Sequence, residues 1–551
     1  MDNRIERRTF LGMSLSAAGA LMLAACTGGG RPSLSASGRP TLRLPGGEWG
    51  FPSPFAYLAG PGYFRMSYIY DTLLWEDATG EPLPWLAARY QPSSDGLTHT
   101  FEMRDNVRWQ DGRPLTAEDV VFTVNYFAAQ SRTLSPLVIA RGPRDLVNVT
   151  ASGRNVEFRL AQPDIAFREA IAAMPIVPRH IWSSVPDASK VDDPSRLVGS
   201  GPYRLESYTR GEGSYLYRAN DEHFLGKPYV ERIENLPVDD ALTGLLAGIL
   251  DSAGSREAGV GSDALAPFRS DDSYGIIEDT GGFTLGLYWN LAKGGPLADV
   301  RFRRACIMAI DREGYVDKVL GGNGAPGNPG FLPPSHPLRV DVEQYSYDPG
   351  MANRLLDDAG YPRGSSGIRQ DQGGRPLRYT MLVLNTLPPI VDVVARSLKE
   401  VGVELVVQAL DIPSQFARMT RGDYEMAIPL YGGLTGDPDY MRSLYSSKSP
   451  VNFQHAQGYV DAEFDTIAER QRRTLDAEER KKLVARMQQI VARDVPFLPL
   501  FYPASFQVFK KSVFDQWYYT PGGFAGGNPF AYNKQVFATG KKTGLDVRTP
   551  S

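Results

Sequence analysis

The segment Leu23-Ala24-Ala25-Cys26 ends an apolar run that begins at Met13, and Arg7-Arg8-Thr9-Phe10-Leu11 precedes that run. An arginine pair, a short apolar run and a cysteine after small residues are, in that order, the parts of an exported lipoprotein signal whose cysteine thiol is acylated. The run is too short for a permanent bilayer-spanning helix. Residues 1–25 are therefore expected to be a removed twin-arginine lipoprotein signal. Cys26 is then lipidated, and the mature chain is tethered outside a bacterial plasma membrane, periplasmic or at the cell surface. That compartment takes ATP, NAD and a reducing thiol pool off the list of expected cofactors, and none is expected. The one other cysteine, Cys306, lies in Arg304-Ala305-Cys306-Ile307-Met308 and reads as a small apolar core residue.

A search for catalytic chemistry returns negatives. The chain has no G-x-S-x-G, no H-E-x-x-H, no C-x-x-C and no phosphate-binding G-x-x-x-x-G-K-[ST]. Gly322-Asn323-Gly324-Ala325-Pro326-Gly327 has the spacing of a dinucleotide fingerprint, but Pro329, Pro333 and Pro334 follow it, so no helix N-terminus is expected there to receive a pyrophosphate. It reads as a Pro/Gly loop. His99, His180, His223, His336 and His455 are scattered, with none at paired ligand spacing, so no metal site is expected. The doublets Asp192-Asp193, Asp239-Asp240, Asp271-Asp272 and Asp357-Asp358 sit in turn-like sequence and read as solvated loops rather than acid/base pairs. An enzyme is not expected. With 59 basic and 63 acidic residues and no long run of either sign, nucleic acid is not an expected partner.

The elements that must position any binding site alternate between two periods. Thr98–Met103 and Val156–Leu160 have the alternation of half-buried strands. Thr116 can cap a helix, with Asp119 three residues on and Val120, Phe122, Val124 and Phe127 as its apolar residues. Ile390, Val393, Val394, Leu398 and Val401 recur at helical spacing, and Gly402 ends that helix before the strand Val403–Val407. A last amphipathic helix is expected from about Glu478 to Arg493, its basic face in solvent. Residues 26–40 lack apolar periodicity and read as a flexible tether.

Longer motifs then line up in order. Tyr70-Asp71-Thr72-Leu73-Leu74-Trp75, Phe101–Trp109, Asp111-Gly112-Arg113-Pro114-Leu115-Thr116-Ala117-Glu118-Asp119, Gly199-Ser200-Gly201-Pro202-Tyr203, Ala309-Ile310-Asp311-Arg312 and Leu355–Tyr361 closely resemble the family 5 extracellular solute-binding proteins, the dipeptide, oligopeptide and nickel receptors of ABC importers. The resemblance covers nearly the whole mature chain. It implies an α/β, two-lobed periplasmic-binding-protein-like fold (large, type II, cluster C) with the ligand cleft between the lobes and two strands crossing between them. The crossings are expected near Phe283–Asn290 and Phe506–Phe509, giving a first lobe of residues 41–283 plus 507–551 and a second of 284–506. Asp71, Gly112, Asp119, Arg301 and Asp311 are expected to be structural.

The same resemblance implies a receptor that captures a peptide or related small polar solute and closes on it, working as a monomer with ABC permease and ATPase subunits and touching the membrane only through its lipid. An oligosaccharide or other non-peptide receptor, or a ligand-presenting surface sensor, is the alternative. The peptide receptors carry W-x-x-D-x-x-[DE]-P, whose first aspartate pairs with the peptide α-ammonium. Here the stretch is Tyr431-Gly432-Gly433-Leu434-Thr435-Gly436-Asp437-Pro438-Asp439, with Tyr431 in place of the tryptophan and Leu434 in place of the aspartate. An enclosed ammonium without a counter-charge is costly, so a free peptide N-terminus is expected to be rejected unless another acid takes over, Asp437 and Asp439 being nearest. Both also fit a turn. Glu48 and Trp49, after the first strand, and Asn290, at the expected crossing, are the other cleft candidates. Trp49, Trp289 and Tyr431 offer stacking faces for sugar rings or are core packing.

Overall fold

The structure of the protein, a computed structural model, describes residues 38–57, 59–80, 82–130, 145–255, 262–385, 388–449, 457–521 and 531–543. The expected signal, Cys26 and His455 lie outside these residues.

The first body carries β1 (Thr41–Pro45), β2 (Ala87–Pro92), β3 (Thr98–Met103), α1 (Ala117–Ala129), β4 (Leu146–Ser152), β5 (Asn155–Leu160), β6 (Tyr203–Thr209), β7 (Ser214–Ala219) and β8 (Arg232–Leu236). One sheet has the order β1-β8-β7-β6, with β1 parallel to β8, and a second the order β2-β3-β5-β4. The alternation expected for β3 and β5 is realised: every second side chain is buried, because one face of that sheet packs on the core while the other meets water. At the start of α1 the Asp119 carboxylate accepts from the Thr116 N–H at 2.9 Å and from its hydroxyl at 3.1 Å, which satisfies a free backbone donor.

The chain then passes through β9 (Ser252–Ser255), β10 (Tyr274–Thr280), β11 (Phe283–Trp289), β12 (Gly324–Pro326), β13 (Arg378–Leu384), α2 (Pro388–Glu400), β14 (Glu404–Leu410), β15 (Met426–Ile428), β16 (Leu430–Gly432), α3 (Asp439–Tyr445), α4 (Ala462–Arg473), α5 (Ala477–Asp494), β17 (Phe497–Lys510) and α6 (Lys534–Thr539). The strands of this second series form one nine-stranded sheet. β13 runs parallel to β14 and to β15, joined by α2 and by a turn at Gly402, whose φ is +88°. The Pro/Gly segment 322–327 is not wholly loop: β12 pairs with β17 from Gly324↔Pro503 to Pro326↔Phe501.

Among the described residues the two largest apolar cores are separate. The larger joins residues from Leu42 to Ile233 with Phe509, Phe514, Trp517 and Phe537 near the C-terminus. The other side is packed between Leu285 and Phe501, with Cys306 fully buried in it and its thiol pKa pushed up by that burial. β17 serves both. Its first half pairs with β11 and its second half with β9 and β10. All of its residues before Lys510 are buried. β10 and β11 are separated by Gly281-Gly282 alone, so the connections between the bodies lie at 280–283 and at about 501–504. Both lie a few residues before the expected places.

The bodies also touch at their rim. Arg472, near the end of α4, grips Asp164 with both arms, Nε to Oδ1 at 2.8 Å and Nη2 to Oδ2, and its carbonyl accepts from the Ile165 N–H at 2.9 Å. Only 6% of the arginine side chain and 2% of the aspartate side chain are exposed.

Candidate functional site

The floor between the bodies is built where β10 turns into β11. β16 pairs with β11 from Phe283↔Gly432 to Leu285↔Leu430, the Gly433 N–H donates to the Gly282 carbonyl at 3.1 Å, and the Ser335 hydroxyl donates to the Thr280 carbonyl at 3.1 Å. Gly433 takes φ +85°, which turns the chain off the strand. The segment Tyr431–Asp439 is thereby seated on the crossing itself.

Within it, Tyr431 stacks at 5.7 Å between ring centroids on Tyr288 and meets the edge of Phe497 at 5.5 Å, and Leu434 is buried in the same cluster. Both are packing residues, and Leu434 places apolar surface where the peptide receptors have a charge. The Thr435 hydroxyl, next to it, is buried without a partner. Asp437 accepts from Arg480 and from the Asp439 N–H at 2.8 Å. Asp439 is fully committed: Arg442 binds both its oxygens at 2.8 and 2.7 Å, and the Gln471 amide donates to it at 2.6 Å. Burial works against its charge, but Arg442 and its neighbours hold the carboxyl below the usual range. The two acids nearest Leu434 are therefore neutralised by guanidinium groups of the chain itself. Asp439→Asn is expected to cost about 3 kcal/mol of stability by leaving the buried Arg442 with only the more distant Glu469, at 3.8 Å, measurable by urea unfolding. An unchanged midpoint would make the pair dispensable.

Glu48 is exposed and tied down locally: Tyr208 donates to it at 2.6 Å, the Gly211 N–H at 2.9 Å and the Gly50 N–H at 3.0 Å. Against partial desolvation, these bonds hold its carboxyl below the usual range. The Trp49 N–H donates to the Tyr215 hydroxyl at 3.1 Å, so this loop is moored to the β6–β7 hairpin with Trp49 half-buried.

Trp289 ends β11 and Asn290 follows it. The turn into the second body comes at Gly281-Gly282, so by residue 289 the strand is deep inside: Trp289 is fully buried beside Phe302 and Tyr379, opposite Met426. The Asn290 amide donates to the carbonyls of Tyr424 at 2.9 Å and Gly422 at 3.2 Å, while its Oδ1 is buried without a partner among the described residues. Sequence reasoning also passed over Asp279 and Ser505, which the β10–β17 register sets side by side at the crossing. An acid just before a diglycine was the available signal.

The family model for bacterial extracellular solute-binding proteins, family 5 Middle, matches residues 81–453. The chain belongs to that family. Protein XP55 of Streptomyces lividans is 30% identical over 463 residues, 80% of each chain. Among solved structures, NikZ from Campylobacter jejuni in complex with Ni(L-His) superposes with a TM-score of 0.76 at 22% identity, covering 90% of this chain and 99% of its own. AppA from Bacillus subtilis in complex with a nonapeptide gives 0.73 at 23% identity, covering 86% and 94%. The two-lobed fold of this solute-binding protein, with two cores and a floor at the crossing strands, is thus that of its family. Among the described residues no helix is long and apolar enough to cross a membrane.

Proposed function

We propose that this solute-binding protein is the receptor of an ABC importer, capturing a peptide or related small polar solute outside the membrane and delivering it to the permease when the lobes close. The observation that carries this is the family match over residues 81–453 together with two cores joined at one crossing. A solute held by both lobes stabilises the closed state by its differential affinity, and no bond need be made or broken. Micromolar binding corresponds to about 8 kcal/mol, enough to drive a hinge equilibrium that starts open. The protein is then a binding protein and not an enzyme. It acts as a monomer, its first lobe built from both ends of the chain and its second from the segment between the two crossings.

Tethering through Cys26 fits this role by keeping the receptor beside its permease. Cys26→Ala is expected to abolish incorporation of a lipid precursor and release the chain from the membrane fraction. Continued labelling would refute the tether. The receptor function is tested by native mass spectrometry of the purified protein, with identification of what it releases. A co-purified peptide mixture supports it, whereas a sugar or single uncharged compound moves the protein to a non-peptide branch.

A further inference from the structure

Asp279 is the penultimate residue of β10 and stands opposite Ser505 of β17. Strand alternation puts these two on the face that also carries Ile277, away from the face where Ile276, Phe506 and Val508 pack. Ile277 and Phe509 on that face pack against the first-body core, so Asp279 lies on the first-body side of the sheet, at the end of β10 where Gly282 begins the crossing. Its Oδ2 is buried and has no hydrogen-bond partner. No described lysine, arginine or histidine forms an ion pair with it. Burial pushes its carboxyl up to about 6; the Gly282 N–H offsets part of this and the neighbouring Glu278 adds to it. Such a carboxylate is under-solvated until a cation reaches it.

The other acids of the site are occupied: Asp437 by Arg480, Asp439 by Arg442, and Glu48 by Tyr208 and two backbone N–H groups. We propose that Asp279 is the counter-charge for the α-ammonium of a peptide bound on the crossing, in place of the acid that Leu434 removes. A primary ammonium has three donors and no acceptor. Asp279 Oδ2 and the unpartnered Thr435 hydroxyl, on the segment seated on the same crossing, are acceptors of the kind it needs. This rests on the receptor function proposed above.

The test uses the full chain in mild detergent, an equimolar mixture of Ala-Xaa-Ala tripeptides with free N-termini, and the same mixture N-acetylated, with retained peptides quantified by mass spectrometry. The wild type should retain free tripeptides and at least tenfold less of the acetylated ones, a comparison that needs no variant. Asp279→Asn should retain at least tenfold less of the free mixture, while its unfolding midpoint at pH 7 stays equal or rises because a buried charge is gone. Equal retention by Asp279→Asn, or equal retention of both mixtures by the wild type, overturns the assignment and leaves the peptide receptor standing. A wild type that retains neither mixture overturns the peptide receptor and the assignment together.

Discussion

Lys534→Met is expected to lower the stability of the chain by about 3–5 kcal/mol, the largest loss from any single charge removal here. Lys534 and Asp71 are both fully buried, with Nζ 2.7 Å from Oδ1. The ammonium also donates to the Tyr70 carbonyl at 3.0 Å and lies 4.2 Å from the Trp75 ring centre. Asp71 further accepts from Trp85 Nε1 at 2.7 Å and from the Ser200 hydroxyl at 3.0 Å. Removing the cation leaves a carboxylate with no route to water, and α6 loses an ion pair to the first body while keeping its backbone ties at Phe537 and Ala538. Asp71→Asn in the same chain should recover part of the loss, since an amide is far cheaper to bury than a lone charge. Urea unfolding of the two variants checks this; a Lys534→Met midpoint within error of the wild type would refute it. Burial pushes the Asp71 pKa up, but Lys534 and His223 overcome that and hold it below the usual range. Its stabilisation is therefore complete above about pH 4 and is lost as acid protonates the folded carboxylate.

Arg472→Ala is expected to act on the lobe equilibrium. In the arrangement seen here, Asp164 and Arg472 are both buried, and opening the lobes returns both to water. The variant strands Asp164 only in the closed form, so that form loses about 3–5 kcal/mol relative to the open one. A ligand that needs closure would then bind about a hundredfold or more weakly. The radius of gyration from small-angle scattering should rise, with faster amide exchange around Ile165. Unchanged scattering would show that the pair does not govern closure. Gln471, beside Arg472, also holds Asp439 and accepts from Arg480 at 3.1 Å, so the rim contact is wired to the loop on the crossing.

What the sequence disclosed followed from periodicity and local spacing. The strands around His99 and Phe158, the Thr116 cap and the helix-to-strand step at Gly402 are short-range patterns, and the family motifs supplied the two-lobed fold that joins them. The ion pair of Asp439 with Arg442 is also local, at i and i+3, and was visible in principle. That of Asp437 with Arg480 was not, because nothing local links residues so far apart. Trp289 and Asn290 were expected at the crossing; Trp289 is buried in the second core and the Asn290 amide binds the Tyr424 and Gly422 carbonyls. A displacement of a few residues at Gly281-Gly282 carries a side chain from floor to core. Asp279 was hidden for the opposite reason: in Glu278-Asp279-Thr280-Gly281-Gly282 it resembles any acidic turn, and only the pairing with β17 reveals its setting.

The position of β17 has a consequence for how the protein is made. The first body begins at Thr41, yet its core takes in Phe509, Trp517 and Phe537, and Asp71 waits for Lys534. A chain emerging from the ribosome therefore carries apolar surface of the first body that cannot be covered until residues 509–537 are synthesised. Such late, long-range closure is slow and leaves apolar surface open to aggregation. The second body, continuous from Leu285 to Phe501, is free to form first and to offer the edge of its sheet as a template on which the first body completes itself.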